Sequence, residues 1–67
     1  MSLEDQKLAK IFRDAREESG LTQAALAKKA SINANYYARV ERGEVTPRVD
    51  IVEKIAKALK ISLRFPL

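Results

Sequence analysis

The sequence predicts an all-α fold, a compact bundle of four short helices followed by a strand-like tail. Three observations predict it. Apolar residues recur at helical spacing in two separate segments, 8–15 and 52–59. Helix-starting and helix-stopping residues cut the chain into four pieces with short connections. No repeat, low-complexity run or linker divides the 67 residues, so the chain reads as one domain, 1–67.

The first helix is expected over 3–18. Ser2 and Asp5, three positions apart, are a candidate N-cap pair. Leu8, Ile11, Phe12 and Ala15 recur at i, i+3, i+4 and i+7 and so share one face. Gly20 stops the helix, because glycine enters the left-handed conformation without a Cβ clash. The second helix, 22–30, starts at the N-cap candidate Thr22 and is alanine-rich, with Leu26, Ala27 and Ala30 on its inner side. Ser31-Ile32-Asn33 interrupts it. Asn33 is the N-cap of a third helix, 33–42, which Gly43 ends. Thr46-Pro47 reads as an N-cap followed by proline at the first helical position, where a missing N–H costs nothing. The fourth helix, 47–59, then turns Val52, Ile55, Ala56 and Leu59 inward.

The tail changes period. Ile61, Leu63, Phe65 and Leu67 alternate with Ser62, Arg64 and Pro66, which reads as a strand over 61–65. No other segment reads as a strand, so its backbone groups lack a partner within the chain. Two remedies are open. The tail pairs antiparallel with the same segment of a second copy about a two-fold axis, or it folds as coil over the bundle with Ile61 and Phe65 as plugs.

Composition bounds the function. A chain this short buries only about 60% of its unfolded surface. It has neither cysteine nor histidine, so disulfides and the usual zinc clusters are excluded and no cofactor is expected. Stability must come from helix packing or from a second subunit. No apolar stretch is long enough to span a membrane, and MSLEDQK is polar and acidic, unlike a secretory signal. A cytoplasmic location is expected. An enzyme is not: no histidine or cysteine can act as base or nucleophile, the carboxylates are scattered, and the only glycines are Gly20 and Gly43. The net charge of +4 is unevenly spread. Residues 21–43 hold Lys28, Lys29, Arg39 and Arg42 against one acid, Glu41. That basic middle points to an anionic partner, double-stranded DNA first.

The second and third helices, with a three-residue turn, have the layout of a helix-turn-helix. Ala27 is small where the helices cross, Ile32 is apolar in the turn, and Tyr37 and Val40 anchor the third helix at i and i+3. Arg16-x-x-x-Gly20-Leu21-Thr22-Gln23-x-x-Leu26-Ala27, then Tyr36-Tyr37-Ala38-Arg39-Val40-Glu41-Arg42-Gly43, then Pro47 and Ile55-Ala56-Lys57-Ala58-Leu59, resembles the Cro and phage-repressor (Xre) helix-turn-helix family. The resemblance covers about residues 8–61. It implies a lambda-repressor-like bundle of five helices, homodimeric DNA binding and transcriptional control. Here the strand-like tail stands where the fifth helix would be, an arrangement also similar to some antitoxins. Two positions depart from the family: Ser31 replaces a frequent glycine, and Ile51 replaces a polar residue. Ile51 therefore joins Ile61, Leu63 and Phe65 as candidates for a dimer seam. The resemblance also implies a structural ion pair between Arg16 and Glu41, a DNA contact at Gln23, and a backbone or minor-groove contact at Arg48.

A helical wheel assigns the third helix. With Tyr37 at zero, Val40 falls at about 300° and Asn33 at about 320°, while Asn35, Arg39 and Arg42 cluster between about 140° and 200°. Tyr37 is then the core residue, and Tyr36 lies on the flank. Asn35 can pair bidentately with adenine and Arg39 with guanine; Ala34 and Ala38 are small enough for close approach or a thymine methyl. Asn33 and Tyr36 join the DNA-facing set, and Lys28 and Arg42 are phosphate candidates. For Arg39 the bland alternative is an ion pair with Glu41 or Glu44. Two function classes follow. One is a homodimeric, sequence-specific regulator, a repressor binding a pseudo-palindromic operator through its third helix. The other is a protein-interaction module of the same fold, antitoxin-like or coactivator-like, binding a toxin or another protein.

Overall fold

Helix ends, rather than helix interiors, organise this chain. The computed structural model describes residues 3–63. Four helices stand among them: α1 Leu3–Glu18, α2 Gln23–Ala30, α3 Ala34–Glu41 and α4 Val49–Leu59. Each ends in the same way. The residue after the last turn takes the left-handed conformation: Gly20, Ser31, Gly43 and Lys60 have φ of 71°, 59°, 71° and 58°. The following N–H then reaches back to a carbonyl five residues earlier. Leu21 bonds Arg16 at 3.2 Å, Ile32 bonds Ala27 at 2.9 Å, Glu44 bonds Arg39 at 3.0 Å and Ile61 bonds Ala56 at 3.0 Å. This is the Schellman geometry, which satisfies carbonyls otherwise left open at a helix end. In three of the four the reversing residue is apolar (Leu21, Ile32, Ile61) and packs back on the core.

Glycine takes the left-handed position freely, whereas Ser31 and Lys60 carry a Cβ that crowds the carbonyl. Ser31→Gly is therefore expected to raise stability by about 0.5–1 kcal/mol, the relief of strain being partly offset by the freer unfolded chain. A domain of this size gains about 4–8 °C in melting temperature per kcal/mol. A melt that stays put or falls would show that Ser31 bears no strain.

The helices pack α1 on α3 and α4, and α2 on α3 and α4, in a body 26 × 22 × 20 Å. Tyr37, Phe12, Leu26 and Ile55 are its fully buried centre. Leu8, Phe12, Val52, Ile55 and Leu59 lie on the faces that periodicity assigns to the core, and Ile11 and Ala15 close its edge.

Two expectations are corrected. The fourth helix starts at Val49, not at 47, and its N-cap is Arg48, without a side-chain cap bond. Thr46 does not cap it, because the Thr46 hydroxyl donates to Asp5 Oδ2 of α1 at 2.6 Å. A long-range partner took the side chain that the local pattern assigned to capping. The tail also differs. Residues 61–63 have no regular structure, so no strand occurs among the described residues. Ile61 and Leu63 are partly buried against their own core, as in the reading of the tail as coil over the bundle. Ser2 and residues 64–67, with Phe65, lie outside the described residues.

Candidate nucleic-acid interface

The basic face is built on a buried charge. Glu41, in the last turn of α3, has a side chain only 3% exposed. Such a carboxylate is tolerated only if it is paired and hydrogen-bonded. Arg16 on α1 meets it with a two-pronged contact, Nε to Oε2 at 2.6 Å and Nη2 to Oε1 at 3.2 Å. The third prong, Nη1, donates to the Leu21 carbonyl at 2.7 Å. Gln23, the first residue of α2, donates its amide to Glu41 Oε1 at 3.0 Å. One carboxylate thus ties three helices together. Burial pushes the Glu41 carboxyl up, but hydrogen bonds from Arg16, with the nearby Tyr37 hydroxyl and Gln23, outweigh it and hold it below the usual range. The same contact raises the Arg16 guanidinium. Burial, reinforced by the Glu41 carboxylate, raises the Tyr37 phenol far above its ordinary value. The Tyr37 hydroxyl is sealed from solvent yet makes no hydrogen bond of good geometry.

With Glu41 neutralised inside, α3 shows solvent a polar and basic face. Two caps fix where it begins and how it meets α2. Thr22 Oγ1 accepts from Ala25 N–H at 3.0 Å, and Asn33 Oδ1 accepts from Tyr36 N–H at 3.0 Å. Ala27, 1% exposed, lets the two helices approach, and Ile32 is half-buried in the turn. Tyr37, Val40 and Glu41 point inward; Ala34, Asn35, Arg39 and Arg42 are exposed. Tyr36 is half-buried and packs on the edge of the core.

The named residues do not all stand alike. Asn33 spends its side-chain oxygen on the cap, keeping its amide N–H groups. Gln23 is half-buried, and one amide donor is committed to Glu41, which leaves the second. Lys28 is exposed in the last turn of α2, as is Lys29. Arg48 stands 84% exposed at the start of α4, near Asp50 at 3.4 Å. Ile51, Ile61 and Leu63 are partly buried against their own bundle.

Glu44, one of the two acids that could pair with Arg39, faces both arginines of the outward side. It grips Arg42 at both carboxylate oxygens, 2.5 Å to Nε and 3.3 Å to Nη2, and lies 3.7 Å from Arg39 Nε. The Arg42 bond holds the Glu44 carboxyl below its usual range. The sequence offers the Arg39 pairing as an alternative but not the closer one to Arg42, for which the glycine before Glu44, implying a chain reversal toward the last turn of α3, is the signal. Among the described residues no cluster of acidic groups could hold a metal ion, and no helix is long and apolar enough to cross a membrane.

The sequence profile of the helix-turn-helix family matches residues 12–65. The chain belongs to this family. In this helix-turn-helix protein, α2, the 31–33 turn and α3 are the motif itself. Uncharacterized HTH-type transcriptional regulators from two strains of Mycobacterium tuberculosis are each 35% identical over 52 residues, 78% of this chain and 37% of theirs. The immunity repressor protein of Bacillus phage phi105 is 40% identical over 48 residues, 72% of this chain and 33% of the repressor. The helix-turn-helix chain therefore spans about a third of the length of these relatives. No solved structure matches it significantly.

Proposed function

We propose that the chain is a sequence-specific DNA-binding transcriptional regulator, a homodimeric repressor that places α3 in the major groove of a pseudo-palindromic operator. One observation carries this reading: α3 is anchored through Tyr37, Val40 and the Arg16–Glu41 pair, and turns Asn35, Arg39 and Arg42 outward. An α-helix fits the major groove, with its base contacts made mainly from the first turns. Asn35 suits adenine and Arg39 suits guanine. Ala34 permits close approach. Lys28, Arg42, Arg48, Tyr36, Asn33 and the remaining donor of Gln23 reach the phosphates or groove walls. A second copy, joined through α4 and the tail with Ile51, Ile61, Leu63 and Phe65 at the seam, would set two half-sites one helical turn or a multiple apart. A cytoplasmic, non-enzymatic role goes with this reading.

Selection of bound sequences from random duplexes tests it. Arg39→Ala should cost about 1–3 kcal/mol on the selected site and relax preference at one position per half-site. Lys28→Ala should weaken binding on all sequences alike and reduce the salt slope by about one. Equal losses on selected and unrelated DNA for Arg39→Ala would remove its base-reading role.

A second reading keeps the fold but binds protein, as an antitoxin binds a toxin. It draws on a groove of about 390 Å³ between α1 and α4, floored by Leu8, Val52, Ala56 and Leu63, with Val49 72% exposed on its rim. The two roles are compatible, because the groove and the outward face of α3 are made by different residues.

A further inference from the structure

The four helix ends share one geometry, and one breaks the pattern in its chemistry. At α1, α2 and α4 the residue reversed by the Schellman turn is Leu21, Ile32 or Ile61, and each packs on the core. At α3 it is Glu44, exposed, and held over the basic face by its N–H bond to the Arg39 carbonyl. Gly43, buried and at φ 71°, fixes that reversal. The Glu44 carboxylate is thus aimed by the backbone, not by chance of a long side chain. It meets the two arginines of the outward face together, Arg42 closely and Arg39 loosely.

We propose that Glu44 sets DNA specificity by acting as an internal stand-in for phosphate, occupying Arg42 and Arg39 until a preferred base competes for Arg39. The proposal rests on the DNA-binding reading above. A carboxylate offers guanidinium the same planar, two-pronged contact that a phosphate does. On unrelated DNA each arginine could gain only a phosphate, and Glu44 already supplies the equivalent, so non-specific binding is held down. On a preferred site Arg39 exchanges a loose 3.7 Å contact for a bidentate pair with guanine, which a single carboxylate oxygen at that distance does not match. Arg42 takes a phosphate only by giving up Glu44, so the ion pair weakens that contact alike in both complexes. Glu44 therefore penalises the phosphate-only complex more than the base-reading one. As an exposed ion pair it contributes little to folding, so its role in DNA discrimination separates from stability.

Glu44→Gln keeps the turn and removes the charge. Wild type and Glu44→Gln are titrated with a duplex selected from random DNA and with an unrelated duplex, across a salt series. On unrelated DNA the variant should bind about tenfold more tightly at low salt, with a salt slope steeper by about two, because both arginines become free to take phosphates. On the selected duplex the slope should steepen by about one, for Arg42 alone, so the ratio of specific to non-specific affinity falls. The melting temperature should stay within a few degrees of wild type. Equal changes on the two duplexes, or none, overturn the role of Glu44 while leaving the DNA-binding reading intact. A wild-type protein that binds neither duplex overturns both.

Discussion

Arg16→Ala lowers folding stability by about 3–5 kcal/mol, because it strands the Glu41 carboxylate in the interior without its cation. For a domain this small that is most of the stability it can have. The opposite truncation, Glu41→Ala, is expected to cost less. The Arg16 side chain is 13% exposed against 3% for Glu41, so a stranded guanidinium reaches water more readily, and it keeps its bond to the Leu21 carbonyl. The pH dependence identifies the cause. Glu41 is held below its usual range in the folded state, so its contribution is present above the unfolded carboxylate pKa and is lost as pH falls through the folded value. In Arg16→Ala the main force holding it down is gone, and burial, the largest single influence, opposes ionisation. The stability gap between the two proteins should therefore narrow from about pH 7 to about pH 3. Urea unfolding at several pH values measures it. A gap that stays constant would mean that Arg16 supports the fold by packing rather than by neutralising Glu41.

Tyr37→Ala is expected to cost about 3–5 kcal/mol, as other fully buried aromatic truncations do. The ring is the largest of the fully buried side chains and sits where α3 is fixed to the bundle, so its loss leaves a cavity under the helix that presents Asn35 and Arg39. Tyr37→Phe separates ring from hydroxyl. The hydroxyl is buried without a well-formed hydrogen bond, so removing it should change stability by no more than about 1 kcal/mol. Tyr37 ionises well above an ordinary phenol. A raised pKa stabilises the fold below the unfolded phenol value, and that contribution is lost as pH rises through the folded one. Tyr37→Phe should accordingly blunt the loss of stability above about pH 10. A large cost for Tyr37→Phe at neutral pH would show that the hydroxyl is a working partner of Glu41.

The wheel that separates Tyr37 from Tyr36 needs nothing beyond the 3.6-residue period. It places Tyr37 and Val40 inside and Asn35, Arg39 and Arg42 outside, as they stand in the structure. Glu41 was harder. Its pairing with Arg16, 25 residues away, follows from no local pattern and was legible only through the family resemblance. Gln23 shows the limit on the functional side. The resemblance implies a DNA contact there, and only the packed bundle shows that one of its donors is already taken by Glu41.

The sequence by itself determined the all-α class, the four helices with four of their caps or stops in Gly20, Thr22, Asn33 and Gly43, and the outward side of α3. These are relations among residues within one turn of each other, which propensity, capping and periodicity encode directly. Tertiary structure alone decided that Thr46 serves Asp5, 41 residues away, rather than capping α4. It also decided that Ile61 and Leu63 lie on their own bundle, and that Glu44 is folded over Arg39 and Arg42. Each of those depends on how helices cross and which side chain reaches a shared partner first. Such competition is settled by packing in three dimensions, where several locally sound choices contend for the same hydrogen bond or the same apolar surface.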